Sequence, residues 1–243
     1  MQIAVVLFDR FTALDAVGPY EILSRIPGAD TVFVAERAGP VRDESGRLAL
    51  TADRTLDEVP RPDVVVTPGG PGQSARMTDA TLLDWLRTAD ATSTWTTSVC
   101  SGSLLLAAAG LLRGRRATSH WLALDQLTRF GAEPTGERVV TDGKYVTAAG
   151  VSSGIDMGLT LLGRIAGDDH ARAVQLMVEY DPQPPYDAGS PAKAPAHLVE
   201  SLRARSRFLL TQASGSDPAG LAAPAPRGPI RTGDARTRRP SSR

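Results

Sequence analysis

The chain carries one cysteine, Cys100, in the middle of Thr94–Leu106 (TWTTSVCSGSLLL). Thr94, Trp95, Thr96, Thr97 and Val99 are residue types that favour a pleated, half-buried surface. Leu104–Ala109 is an apolar run that suits a helix. Cys100, Ser101 and Gly102 fall at the handover, which is the geometry of a nucleophile elbow. Backbone N–H groups at a helix start, together with the helix dipole, favour the thiolate over the thiol. A thiolate attacks electrophilic carbon, so the local physics suits covalent catalysis. An isolated cysteine more often behaves as a small buried hydrophobe. The reading therefore depends on what else reaches the sulfur.

In open parallel sheets, ligands bind beyond the carboxyl ends of the strands. Three segments are expected to end there: Asp9–Asp15 after the first strand, Pro68-Gly69-Gly70 after DVVVT, and Cys100 itself. The Gly69-Gly70 turn lets backbone approach a ligand closely, and its N–H groups could form an oxyanion hole. Asp15 lies in apolar surroundings (ALDAVGP) just before Gly18-Pro19. Held near Cys100 and away from water, it would have its pKa raised by desolvation and by the thiolate's charge. It would then stay protonated and act as an acid. Glu21 is an alternative carboxylate on the same helix, and spacing alone does not separate the two. His120 (ATSHW) is the candidate base for a Cys–His pair. His170 and His197 lie in polar contexts and are set aside. Three scattered histidines and one cysteine make no zinc-type cluster. No dinucleotide fingerprint or P-loop is present.

The elements that must position these residues follow from periodicity. Ile3–Phe8, Thr31–Glu36 and Asp63–Thr67 are continuous apolar runs that predict strands covered on both faces. Thr12–Arg25 has helical spacing, with Gly18-Pro19 breaking its early part. Gly39–Leu50 alternates weakly and predicts a small hairpin or edge segment, with Gly46 marking the turn. Thr78–Ala89 predicts a helix capped by Asp79 or Thr78. Ser119–Phe130 reads as a helix, and Arg138–Thr141 and Tyr145–Ala148 as strands about the Asp142-Gly143 turn. Val151–Ile165, Asp168–Glu179 and Pro195–Leu210 read as further helices, with an extended Pro182–Pro185 linker before the last. Alternating strands and helices predict a parallel sheet with helices on both faces.

The 243 residues fit one domain over 1–213 and a disordered tail over 214–243, rich in Ala, Pro and Arg. Six arginines against two aspartates give the tail a charge of +4, and zero net charge overall leaves −4 on the body. No global field draws the chain to nucleic acid or lipid. There is no signal-peptide pattern and no apolar run of about 18 residues. The expectation is a cytoplasmic protein that binds neither nucleic acid nor membrane.

The opening LFDRFTALDAVGPYEIL, the VVVTPGGPG turn, the TSVCSGSLLLAAAGLLRGRRATSHW block and GVSSGIDMGL occur in this order. Together they resemble the ThiJ/PfpI superfamily, flavodoxin-like cousins of class I glutamine amidotransferases, from Ile3 to about Arg203. Leu14-Asp15-Ala16-Val17-Gly18-Pro19, Ser98-Val99-Cys100-Ser101-Gly102-Ser103 and Glu179–Pro191 look like its isonitrile hydratase branch. The resemblance implies an α/β flavodoxin-like three-layer sandwich and a homodimer. It puts a nucleophile at Cys100, an acidic partner at Asp15 and a hydroxyl at Ser101, where a member of the branch has threonine. Serine keeps the hydroxyl but loses a methyl group that would stiffen its rotamer. No metal or organic cofactor is implied.

The chemistry so implied is hydration of an isonitrile to an N-substituted formamide through a cysteine thioimidate. Cys100 would add to the terminal carbon while Asp15 supplies its proton; Gly70 and Ser101 N–H groups would steady charge. Two alternatives use the same scaffold. A glyoxalase or deglycase acting on 2-oxoaldehydes would depend on a base such as His120. A ligand or redox sensor would need no turnover, and its regulator form would carry DNA-binding helices after the body, for which the tail has no pattern.

Overall fold

The computed structural model describes residues 1–206. The expected tail, and the end of the helix expected to reach Leu210, lie outside the described residues.

The elements run β1 (Gln2–Val6), α1 (Ala13–Leu23), β2 (Asp30–Ala35), β3 (Gly39–Arg42), β4 (Ala49–Ala52), β5 (Arg54–Thr55) and β6 (Val64–Thr67). They continue with α2 (Gln73–Arg76), α3 (Ala80–Asp90), β7 (Trp95–Val99), α4 (Gly102–Ala108) and β8 (Arg116–Ala117). A 3-10 turn (Leu124–Phe130), β9 (Glu133–Pro134), β10 (Val139–Asp142), β11 (Tyr145–Ala148), α5 (Ser153–Ala166), α6 (Asp168–Met177) and α7 (Ala196–Ala204) complete the chain. Seven strands form the central sheet in the order β10-β11-β7-β6-β1-β2-β5. All pairings in it are parallel except that of β10 with β11. The chain leaves β1 in one direction for β2 and returns to its other side at β6, so the strand order reverses at the β1–β6 boundary. In doubly wound sheets this is where a ligand crevice forms.

Alternation along β7 separates the two helical layers. Val99 packs where a Cβ on Gly154 of α5 would sit, 3.2 Å away, while the Thr96 hydroxyl bonds Asp90 of α3 at 2.7 Å. The inner strands are apolar because both faces are covered: Ile3–Val6 and Val64–Val66 are fully buried. β2 departs from that reading, with only Val34 and Ala35 buried. It lies next to the two-residue β5 at the sheet edge. The Asp79 carboxylate caps α3 by accepting the N–H groups of Thr81 and Leu82.

Two expectations from the sequence are corrected. Gly18-Pro19 does not break α1, which runs unbroken through both. Glycines on α5 bring that helix close enough to bury the turn: a Cβ on Gly158 would meet Ile22 Cβ at 2.9 Å, and one on Gly154 would meet Pro19 Cδ at 3.0 Å. Packing on this seam outweighs the hydrogen bond that proline removes. Nor is Ser119–Phe130 one helix. The Thr118 N–H donates to Thr147 Oγ1 and the Ser119 hydroxyl to the Cys100 carbonyl. These ties hold the start of the segment out of the helix, and only Leu124–Phe130 coils, ending at Gly131 with φ of 77°.

Candidate active site

Cys100 stands between β7 and α4 with φ of 59°, a left-handed conformation that is unfavourable for a side chain with a Cβ. Its amide is fixed by the carbonyls of Ala148 and Ala149, at 3.0 and 2.8 Å, after parallel strand β11. The carbonyl on its other side takes the hydroxyls of Ser103 and Ser119. Strain held by surrounding bonds of this kind recurs at functional sites.

Asp15 enters from the first turn of α1. Its amide bonds the Thr12 carbonyl at 3.1 Å, and the Thr12 amide bonds the Gly69 carbonyl at 2.9 Å. The Gly69 N–H in turn donates to Asp15 Oδ2 at 3.0 Å. Oδ1 is buried with no hydrogen-bond partner, and the Cys100 side chain lies beside this carboxyl. Both residues are wholly inaccessible to solvent. Burial lifts the Asp15 pKa from 3.8 to about 7, against the lowering effect of the Gly69 and Cys100 hydrogen bonds. Glu44, in the β3–β4 connection, adds a smaller upward push and receives the Thr12 hydroxyl at 3.2 Å. Glu21, the other carboxylate that spacing allowed, is exposed and paired with Arg25.

The sulfur departs from its sequence expectation. Burial, then the Asp15 charge, raises the Cys100 pKa well above its usual value, outweighing the N–H groups of Ser101 and Val151 that face it. The resting group is therefore a thiol, not the thiolate that the helix dipole suggested. The low-dielectric site holds one negative charge more readily than two, so the couple loses its protons one at a time.

Gly69 and Gly70 also differ from the oxyanion-hole expectation. The Gly69 N–H is taken by Asp15, and the Gly70 N–H by Ser101 Oγ at 3.1 Å. Both positions need glycine. A Cβ on Gly69 would fall 2.5 Å from the Ser101 nitrogen, and Gly70 has φ of 129° with its Cβ position 2.5 Å from the Thr12 nitrogen. The turn thus locks acid and nucleophile segments together, while Ser101 and Val151 supply the N–H groups at sulfur. From the sequence Val151 reads only as the start of a helix, because it is the β7–β11 pairing that brings the chain after β11 to Cys100.

His120 stands beside this centre. Its ring Cδ2 lies 2.8 Å from where a Cβ on Gly150 would sit, and Gly150 adjoins Val151. Its Nδ1 accepts the Leu122 N–H at 3.2 Å, which leaves the neutral ring's proton on Nε2. Burial lowers its pKa from 6.5 to about 4, so the ring is neutral near pH 7. His170 contacts the Arg25 carbonyl, away from the sulfur. Among the described residues no cluster of His, Cys, Asp and Glu could hold a metal ion, and no helix is long and apolar enough to cross a membrane. A surface recess of about 690 Å³ lies beyond β1 and β2 and includes neither Cys100 nor Asp15.

Known proteins share this fold. The chain is 43% identical over 206 residues to isonitrile hydratase from Pseudomonas putida, spanning 85% of this chain and 90% of that one. It is 33% identical over 178 residues to the HTH-type transcriptional regulator CdhR of Pseudomonas aeruginosa, matching 71% of this chain but 52% of the regulator. A crystal structure of a ThiJ/PfpI family protein from Pseudomonas syringae superposes with a TM-score of 0.82 at 41% identity, over 84% of this chain and 85% of the other. The profile of the DJ-1/PfpI family matches residues 1–164, and the chain belongs to that family.

Proposed function

We propose that the chain is an isonitrile hydratase, adding water to R–N≡C to give R–NH–CHO. The observation that carries this reading is the buried Asp15–Cys100 couple, which can hold a proton in either of two places at one carbon's reach. The terminal carbon of an isonitrile must be both protonated and attacked. With Asp15 ionised, the thiol proton passes to the carboxylate as sulfur bonds the carbon, and Asp15 delivers that proton to the same carbon. The product is a thioimidate, R–N=CH–S–Cys100, with Asp15 again a carboxylate. Water then adds to the carbon, and Asp15 relays one of its protons to nitrogen. The C–S bond breaks, the remaining proton returns to sulfur, and the formamide leaves. N–H groups of Ser101 and Val151 are placed to steady charge on sulfur as that bond forms and breaks.

The identity to isonitrile hydratase supports the same reading, and no cofactor enters the balance. The resemblance also supports a homodimer, for which the exposed Leu14 and Leu48 offer apolar surface, and a reduced cytoplasmic setting in which a free thiol persists. Incubation with methyl isonitrile and, separately, methylglyoxal, followed by NMR, tests the assignment. Formamide from the first and no lactate from the second is the expected result. Lactate without formamide overturns it in favour of 2-oxoaldehyde chemistry.

A further inference from the structure

We propose that the recess between Trp121 and the segment from Ala188 to Leu202 receives the substituent on the isonitrile nitrogen and selects apolar, uncharged groups. This inference rests on the hydratase reading above and names the part of the substrate that reading leaves open.

The recess encloses about 130 Å³, with Trp121, Pro191, Ala194, Leu198 and Leu202 among its walls. Its lining contains one hydroxyl, on Ser190, and no ionisable side chain. A charged substituent would lose its hydration there and gain no partner. An alkyl or small ring substituent would gain from burial and fits a space of this size. The Arg203 guanidinium lies 5.7 Å from the Trp121 ring centre but is not part of the recess lining.

Continuity with the sulfur runs through short steps. The Val151 N–H faces Cys100, Gly150 precedes Val151, and the His120 ring covers Gly150. Trp121 follows His120, their ring centres 6.0 Å apart. An isonitrile is linear at C and N, so a carbon held at sulfur projects its substituent away in one direction. Of the residues on this wall, Trp121 is the one that also lines the recess. The far side is loosely built, since α7 has no buried residue and Leu198 and Leu202 remain 45% and 49% exposed. Apolar side chains left in this state have unspent burial that a bound alkyl group would complete.

The test measures kcat/KM for methyl, ethyl, n-propyl and n-butyl isonitrile with the full-length protein and two variants. For the wild type, each added methylene is expected to raise kcat/KM about threefold to fourfold, the value of burying one CH₂. Ala194→Leu fills the recess and should lose at least ten times more kcat/KM on n-butyl than on methyl isonitrile. If that variant does not fold by circular dichroism, Leu198→Trp on the exposed helix serves the same purpose. A wild-type rate independent of chain length, or equal losses on all four substrates in the variant, overturns the subsite and leaves the hydratase reading standing. Absence of turnover with every isonitrile overturns the hydratase reading and the subsite with it.

Discussion

The Asp15 carboxyl and the Cys100 thiol share one water-free space, and burial moves both protonation equilibria upward. Each is the other's nearest cost: either group ionises more easily when its neighbour does not. Catalysis by this couple therefore works with a single negative charge passed between oxygen and sulfur. That relationship fixes the pH behaviour of both activity and stability.

Asp15→Asn should lower kcat/KM at least 100-fold on an alkyl isonitrile while raising stability above pH 7. The native Asp15 pKa, about 7, lies above its ordinary 3.8. Between these values the folded state binds a proton that the unfolded state has lost, so stability falls as pH rises through this window and stays reduced above it. Removing the ionisable group recovers roughly 2–4 kcal/mol at pH 8 and little below pH 4. Urea midpoints at both pH values check this. A variant no more stable than wild type at pH 8 would refute the buried-charge argument.

Cys100→Ala and Cys100→Gly should both abolish turnover, but they should separate in stability. Alanine keeps a Cβ at φ of 59°, and glycine does not. Relief of that conformation is worth about 1 kcal/mol in favour of glycine, set against the chain freedom glycine loses on folding. A loss of about 1 kcal/mol for Cys100→Gly relative to Cys100→Ala, the chain-freedom cost with no relief to offset it, measured by chemical denaturation, would show that the backbone at this turn is not strained.

Much of this architecture was legible in the sequence because it depends on local pattern. The runs at Ile3–Phe8 and Asp63–Thr67 and the Cys-Ser-Gly handover locate strands and the reactive turn without any tertiary information. What was not legible depends on pairing between distant segments. Asp15 and Glu21 share one helix, and only the Gly69 amide, 54 positions along the chain, separates the buried carboxyl from the exposed one. The N–H groups of Gly69 and Gly70 look available in sequence, yet both are consumed in holding Asp15 and Ser101. The helix dipole argued for a thiolate, but complete burial beside a carboxyl is the larger effect. Pro19 reads as a breaker until Gly154 is placed against it.

Gly158→Ala should impair catalysis from outside the site. The new methyl group would lie 2.9 Å from Ile22 Cβ, an atom near the backbone of α1 that cannot swing aside. The expected response is a shift of α1 away from α5, costing about 1–3 kcal/mol as overpacking. Because α1 carries Asp15, kcat should fall by more than KM changes. Thermal melts and steady-state rates together check this. Loss of stability with kcat unaltered would uncouple the helix seam from the acid.

The pH profile distinguishes Asp15 from His120 as the group that governs the rate. If a single charge on the couple is required, kcat/KM should rise with pH through about 7 and then hold level, because the thiol's own ionisation lies far higher. His120, with its pKa lowered to about 4, is already neutral across this range. Its imidazole can supply no titration between pH 5 and 9. His120→Gln should accordingly leave the midpoint of the rise in place, with less than a tenfold drop in its plateau. Asp15→Asn should remove the rise altogether and leave a low, flat profile. A midpoint near 7 that survives in Asp15→Asn but disappears in His120→Gln would transfer the proton to the histidine, and the carboxyl would then be a structural anchor for the Gly69 turn.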